Sequence, residues 1–403
     1  MPTVHLKPGH VQPVWAGHPW IYAQAIHRMD GGVAAGDEVS VMDPRGNLLG
    51  RGFYSPGSSI PVRLLVRDAE TPLDAAFFRE KLERALTWRA RLGLPSHEGE
   101  KTTGYRLVHA EGDGLPGLIV DRFDDVLAVQ FLTSGMKRRE DMVLAALEQL
   151  LAPRVIVDRT PGITAKHEGF TTHPGIVRGD PGAQNREAGF AFFERGLSFR
   201  IPFELGQKTG YYFDQRGLRA RVEQLALGRS VLDAYSFVGP FALAAARGGA
   251  NSVTSVDESG LAIQVAESCA RDNGLDGRIS FVKADARKAL RDAGNEGGHD
   301  LVIVDPPRLA PTRGSREGAL MAYAKLAELG CRATKPGGDL ILCSCSSAVD
   351  MQALTRSLAI GALHANMQAF IWERAFQGAD HPVSAAFPEG LYLKALLARI
   401  ENR

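Results

Sequence analysis

The sequence has almost no net charge: its 47 Lys and Arg face 46 Asp and Glu, leaving a formal +1. That excludes a chain-wide basic field, so a nucleic-acid partner would have to be held by a local patch. Cysteine is scarce too. Cys269, Cys331, Cys343 and Cys345 are the only four in 403 residues, and all lie in the C-terminal half. Their spacing suits no disulfide framework, and free thiols point to a reducing cytosol. No run of about 18 apolar residues occurs, so no membrane-spanning helix is expected. Met1-Pro2-Thr3-Val4-His5-Leu6 lacks the basic region and apolar core of a secretory signal. There is no internal repeat and no low-complexity tract. What is present is a hydrophobic share of 44%, ample for packed cores, in a length that suits two or three domains.

Residues 1–72 are strand-like and rich in turns. Gly31-Gly32, Gly36-Asp37, Asp43-Pro44-Arg45-Gly46 and Ser55-Pro56-Gly57 punctuate short apolar runs. That rhythm predicts a small all-β barrel. His18-Pro19-Trp20-Ile21-Tyr22 sets two aromatics beside a histidine. Stacking on bases is one use for them, and core packing the more usual one. Pro72 marks a boundary. Residues 73–92 then read as a helix, with Phe77, Phe78, Leu82, Ala85 and Leu86 at helical spacing. Arg79, Lys81, Arg84, Arg89 and Arg91 make it locally basic, by default a solvated face and less often an RNA-backbone contact. Strands at 105–108, 114–120 and 126–131, a helix over 137–151 and a strand at 154–157 complete a compact α+β domain spanning 73–188. A glycine-rich loop is expected at 175–189. Glu194-Arg195-Gly196 is a turn signal, so 189–205 reads as a hairpin linker. Next comes Gly206-Gln207-Lys208-Thr209-Gly210-Tyr211-Tyr212-Phe213-Asp214-Gln215-Arg216, in which Asp214 is placed to cap a helix reaching about residue 227.

From Ser230 strands and helices alternate. Strands are expected at 231–233, 253–257, 279–282, 301–305 and 340–343, and helices at 240–247, 261–273, 285–291, 316–333 and 350–362. Residues 369–372 and 391–397 close the sheet. Alternation of this kind predicts a parallel, doubly wound, Rossmann-like sheet within 189–403. Ligands of such sheets sit outside the carboxyl ends of the strands. Three strands end there in Asp233, Asp257 and Asp305, and Asp285 follows a fourth. Each alone is commonly a helix cap or a solvated strand end; four in matching positions point to a site. Asp257 is placed to accept from ribose hydroxyls. The first strand–helix turn, Asp233-Ala234-Tyr235-Ser236-Phe237-Val238-Gly239, has one glycine, too few to cradle a pyrophosphate. It suits a ligand without phosphates, such as S-adenosylmethionine.

The stretch Leu340-Ile341-Leu342-Cys343-Ser344-Cys345-Ser346-Ser347 ends at the same edge. If it stays extended, its two thiols share a face. Taken alone, they read as small buried hydrophobes.

Together these segments resemble the RlmI-type family of class I methyltransferases, which methylate carbon 5 of a cytosine in large-subunit ribosomal RNA. Residues 233–239, Asp257, Asp285 and Asp305-Pro306-Pro307 look like motifs I to IV of that class. His18-Pro19-Trp20-Ile21-Tyr22 resembles the family's N-terminal PUA domain, and Gly112-Asp113-Gly114-Leu115-Pro116-Gly117 its central domain. Residues 206–216 resemble its most distinctive stretch, Ser344-Cys345-Ser346 its nucleophile strand, and Asp380-His381-Pro382-Val383 with 388–394 its C-terminal end. The resemblance implies S-adenosylmethionine as cofactor, held by Gln207, Thr209, Gly210, Phe213, Asp233, Tyr235, Ser236, Gly239, Asp257, Asp285 and Asp305. It implies catalysis by Cys345, Asp305 and Pro306, with no metal. Its substrate would be 23S ribosomal RNA before full subunit assembly, bound by a cytoplasmic protein that can dimerise.

Carbon 5 of a pyrimidine is too poor a nucleophile to take a methyl directly, and covalent catalysis solves this. A thiolate adds to carbon 6, carbon 5 takes the methyl and loses its proton, and the thiolate leaves. Cys345 aligns with the family's Ser-Cys-Ser; Cys343 is the competitor. Uracil carbon-5 methyltransferases, which also carry Asp-Pro-Pro-Arg and a late cysteine, are the alternative enzyme class. A catalytically silent RNA-binding protein is the alternative of another kind.

Overall fold

The structure, a computed structural model, describes residues 1–179, 189–205, 209–309 and 316–403. The chain forms two compact units that are interleaved in sequence. The first comprises Met1–Gly196, Pro202–Phe213 and Ala379–Gly390; the second comprises Leu197–Ile201, Asp214–Gly378 and Leu391–Arg403.

The first unit holds two sheets. Six short strands between Thr3 and Val66 make one, mostly antiparallel, with Thr3–Leu6 and Glu38–Met42 pairing in parallel. His18 and Trp20 pack edge-on against Phe387, Tyr22 packs edge-on against Trp20, and the Trp20 indole donates to Glu111 at 2.7 Å. These aromatics therefore serve as packing. The second sheet has five strands, including Gly104–His109, Leu118–Phe123, Val126–Phe131 and Val155–Asp158. Its fifth strand, Gly175–Gly179, corrects the loop expected there: Val155 pairs with Gly179 and Asp158 with Gly175. The rest of that stretch, 180–188, lies outside the described residues.

Helix Ala75–Arg91 lies where its apolar spacing predicts, and Asp74 caps it by accepting from Phe77 N–H at 3.1 Å. Phe78 and Leu82 are buried in the core of this unit, each worth about 1.5–3 kcal/mol of burial. Arg89 is a correction. It does not lie on a solvated face but is completely buried. Its guanidinium forks onto Asp113 and donates to the carbonyls of Arg106 (2.9 Å) and Asp380 (2.7 Å). Arg106 forks in turn onto buried Asp121 (3.0 Å for the longer arm), and its backbone N–H donates to Asp380 at 3.0 Å. The helix expected over 137–151 is two, Ser134–Lys137 and Glu140–Leu151. The break between them lets Arg138 and Arg139 donate to the carbonyls of Ala35 and Gly36.

The second unit is built on a seven-stranded sheet. Across it run Ile279–Lys283, Ser252–Asp257, Ser230–Ala234, His299–Val304, Thr334–Ser344, Lys394–Asn402 and Met367–Phe376. The first five are parallel, as the alternation with helices predicts. Helices Pro240–Arg247 and Arg316–Ala333 begin and end as the sequence predicts. The last strand corrects the all-parallel expectation. Lys394–Asn402 inserts antiparallel between Thr334–Ser344 and Met367–Phe376. Only a single 3-10 turn, Pro388–Gly390, and no α-helix separates it from Met367–Phe376, so nothing forces a parallel return. Asp214 is a second correction. The helix starts at Arg216 with Gln215 at its cap position, and Asp214 instead accepts from the Tyr392 hydroxyl at 2.6 Å.

Candidate active site

Strand register brings the acids together. Val256 pairs with Ala234, Ala234 with Val304, and Val304 with Leu342. Asp257, Asp305 and Cys343 each follow one residue of that row, so they emerge side by side at the carboxyl edge. Asp233 precedes the row and is completely buried. Its Oδ2 accepts from Ala242 N–H at 3.1 Å, while its Oδ1 has no hydrogen-bond partner among the described residues. Burial, reinforced by the charges of Asp305 and Asp257, pushes its carboxyl up to about 8.

The loop after Asp233 is strained. Tyr235 has φ +66° and Phe237 +51°, conformations that non-glycine residues seldom adopt, and Gly239 follows at +75°. Backbone N–H groups tie it to the neighbouring strand. Ser236 N–H donates to the Val256 carbonyl at 2.8 Å, and Phe237 N–H donates to Asp257 at 2.9 Å. The other oxygen of Asp257 accepts from Ser259 N–H at 2.9 Å. The hydroxyls of Ser236 and Ser255 are buried here without partners among the described residues. Buried polar atoms of this kind cost about 1–3 kcal/mol each when left unmatched. Asp285 is exposed and caps helix Ala286–Asn295, accepting from Lys288 N–H at 2.8 Å.

Asp305 accepts from the Gln215 side-chain amide at 2.6 Å. Gln215 is buried and its amide oxygen has no partner among the described residues. It sits inside the distinctive stretch quoted above, yet nothing in the residue type alone singles it out. Pro306 is buried behind Asp305. Arg308 donates to the Ser347 hydroxyl at 2.9 Å, tying the turn after Asp305 to the turn that carries Cys345.

The two thiols part company. Thr334–Ser344 ends one residue before Cys345, so they do not share a strand face as an extended chain would require. Cys343 is wholly buried, and burial pushes its thiol well above the ordinary 9.0. Cys345 is half-buried, on the turn. Beside it lies a residue the sequence reading took for an ordinary strand position. Lys394 opens the antiparallel strand, opposite Ser344, and its ammonium donates to the Ser346 carbonyl at 2.7 Å. The side chain thus runs past Cys345. Lys394 is 4% exposed, and burial lowers its pKa to about 8, against the charge of Cys345, which raises it. A lysine opening the apolar run Ala395-Leu396-Leu397 was the available signal.

Thr209, Gly210 and Phe213 belong to the first unit, where they pack. The Thr209 hydroxyl donates to Asp121, and Phe213 lies about the rings of Phe123, Phe192 and Tyr211 at 5.0–5.4 Å. A Cβ on Gly210, at φ +138°, would fall 2.6 Å from the Phe190 ring. Gln207 lies outside the described residues. No group of His, Cys, Asp or Glu among the described residues could hold a metal ion.

A family described as a PUA-like domain matches residues 4–67, and one described as S-adenosylmethionine-dependent methyltransferase matches residues 106–385. The chain is 37% identical over 400 residues to Ribosomal RNA large subunit methyltransferase I of Shewanella denitrificans, covering 98% of this chain and 99% of that protein. It is 35% identical over 402 residues to the Klebsiella pneumoniae protein of the same name, covering 99% and 98%. Among solved structures, one described as a methyltransferase and complexed with SAH superposes with a TM-score of 0.84 at 20% identity, over 99% of this chain and 100% of that one. A SAM-dependent methyltransferase from Streptococcus mutans superposes at 0.82 and 19% identity, over 99% and 100%. These last two share the fold.

Proposed function

The chain belongs to the S-adenosylmethionine-dependent methyltransferase family, and on that premise we propose that it methylates carbon 5 of a cytosine in 23S ribosomal RNA through an adduct on Cys345. It is an RNA methyltransferase, and its methyl donor is S-adenosylmethionine. When bound, the cofactor supplies an electrophilic methyl on a cationic sulfur. The residues present fit it. The carboxylates of Asp257 and Asp305 at one sheet edge suit a cationic ligand, and the unpartnered atoms of Asp233, Ser236 and Ser255 suit one rich in hydroxyl and amino groups. In this reading Asp257 accepts from the ribose hydroxyls and Asp285 from the adenine amino group, while Tyr235 and Gly239 shape the loop against the cofactor.

One observation carries the choice of nucleophile. Cys345 is the half-buried thiol, and the Lys394 ammonium lies along it. Below about pH 8 that ammonium favours the thiolate, which is the reactive form. The thiolate adds to carbon 6 of the base. Asp305, oriented by Gln215, holds the ring edge and stabilises the charge that develops there. Carbon 5, made enamine-like by the adduct, would take the methyl that the cofactor supplies; a base then takes the carbon-5 proton, and the electron pair left behind expels the Cys345 thiolate from carbon 6. Pro306 keeps the turn after Asp305 rigid. Residues 1–72 and 73–188 carry the RNA, and 189–403, entered by the 189–205 hairpin, carries the chemistry. The enzyme works in the cytoplasm on RNA not yet packed into a finished subunit, alone or as a homodimer.

The test is incubation with S-adenosylmethionine and protein-free 23S RNA, followed by nucleoside mass spectrometry. The expected product is 5-methylcytidine, absent for Cys345→Ala. RNA carrying 5-fluorocytidine should trap a covalent complex. A 5-methyluridine product, or an active Cys345→Ala beside an inactive Cys343→Ala, would overturn the reading.

A further inference from the structure

In the first unit, one side of helix Ala75–Arg91 faces a groove of about 660 Å³. That volume falls within the range of ligand pockets, roughly 300–1,000 Å³. Lys81, Arg84, Trp88 and Arg91 line it. They are spaced by three, four and three residues, which sets them in one stripe along the helix. The opposite wall is the turn 111–114 with Pro382, Val383 and Ser384. That wall is tightly made: a Cβ on Gly112 would fall 1.9 Å from the Pro382 carbonyl oxygen, so no side chain there fills the groove.

The charges are unbalanced toward positive. Glu111 and Asp113 belong to the wall, but both are engaged elsewhere. Glu111 accepts from Trp20, with Arg63 at 3.9 Å. Asp113 is clamped by Arg89 and accepts from His109 N–H. Lys81, Arg84 and Arg91 have no hydrogen bond or ion pair to any described residue. The same helix shows what a merely solvated arginine does: Arg79, outside the groove, pairs with Glu83 at 2.9 Å. Lys81 is half-buried, and burial followed by the Arg84 charge lowers its pKa, so the two cations crowd each other. Trp88, between Arg84 and Arg91 on the stripe, is 43% exposed, a large aromatic side chain left partly uncovered.

Concave cations around an open indole are what single-stranded nucleic acid uses: backbone phosphates for the charges and a base face for the ring. We propose that this groove holds a single-stranded segment of the substrate RNA, with phosphates on Lys81, Arg84 and Arg91 and one base stacked on Trp88. This rests on RNA being the substrate and adds a docking site away from the reacting base.

The experiment uses the full chain and a fluorescein-labelled single-stranded oligo(U) 12-mer, with anisotropy read from 50 to 300 mM KCl. Lys81→Gln/Arg84→Gln/Arg91→Gln should weaken binding about 10- to 100-fold. It should also lower the slope of log Kd against log salt by about 2, because each phosphate contact on a single strand contributes roughly 0.7. Trp88→Ala should weaken binding at least about fivefold with the slope unchanged, the signature of lost stacking. Arg79→Gln, which removes one charge outside the groove, should bind within about twofold of the unaltered chain. S-adenosylmethionine affinity serves as the folding control for every variant. Unaltered binding in both the triple variant and Trp88→Ala overturns the groove and leaves the RNA reading intact. An unaltered chain that binds no RNA overturns both. Competition by polyglutamate as effective as by RNA, with Trp88→Ala silent, makes the groove an acidic-protein surface and also overturns the proposal.

Discussion

In the first unit Arg106 and Asp121 meet in a two-pronged bridge, Arg89 and Asp113 in another, and the Asp380 carboxylate accepts from the Arg106 backbone. In the second, Asp233 is equally buried, faces two further carboxylates and keeps one oxygen unmatched. The first takes charge out of water, at a cost of several kcal/mol per ion, and offsets it at once with fixed internal partners. The second avoids that cost by keeping Asp233 protonated, its carboxyl pushed up to about 8 by burial and by the neighbouring acids. Buried acid answered by a base holds a fold together; buried acid crowded by other acids stays neutral and leaves an oxygen unmatched.

Four measurements break or sharpen this contrast. Cys345→Ala should cut methyl transfer by about 10³-fold or more while S-adenosylmethionine affinity, read by calorimetry, stays within about twofold. Cys343→Ala should retain activity. Arg106→Ala should cost about 3–5 kcal/mol in urea unfolding, because it strands the buried Asp121 charge. An equal cost for Asp233→Asn would erase the contrast.

The third measurement is a pH titration of stability. Asp233 sits at about 8 in the folded protein against an ordinary 3.8, so the folded state keeps a proton that the unfolded chain has already lost. Stability of the cofactor-free protein should therefore fall as pH rises from about 4 to 8, by roughly 2–4 kcal/mol. Asp233→Asn should remove that slope, and saturating S-adenosylmethionine should flatten it. Last, Lys394→Met should lower kcat about 10- to 30-fold and move the pH midpoint of Cys345 alkylation upward by about one unit. An unmoved midpoint would detach Lys394 from the thiol.

Much of the second unit was legible because its signals are local. Helical spacing gave 240–247 and 316–333, and strand alternation put Asp305 beside the strand leading to Cys345. The sequence set Asp257 and Asp305 at strand ends, where register places them side by side, and Asp285 does the ordinary work of a cap. What was not legible depends on distant pairing. Nothing in a basic helix stripe says that Arg89 will meet Asp113 and, 291 residues on, the Asp380 carbonyl. Lys394 was read as part of a strand, correctly, but its chemistry depends on that strand's direction. In a parallel strand its first residue would lie at the far edge of the sheet. Cys345 escaped the shared-face argument because the strand stops at Ser344. Thr209 and Phe213, which the resemblance assigns to the cofactor, touch Asp121 and Phe123 in the structure, contacts with residues far away in sequence that no local pattern announces.

The inserted strand also bears on how the enzyme is made. Thr334–Ser344 and Met367–Phe376 do not pair with each other; Lys394–Asn402 lies between them and bonds to both. During synthesis, both strands leave the ribosome before the segment that joins them. Until residue 402 has emerged, each presents an open edge, and Cys345 lacks its neighbouring ammonium. On the proposed reading, the Cys345 thiol is without its neighbouring ammonium from its own synthesis until the strand that begins at Lys394 is in place.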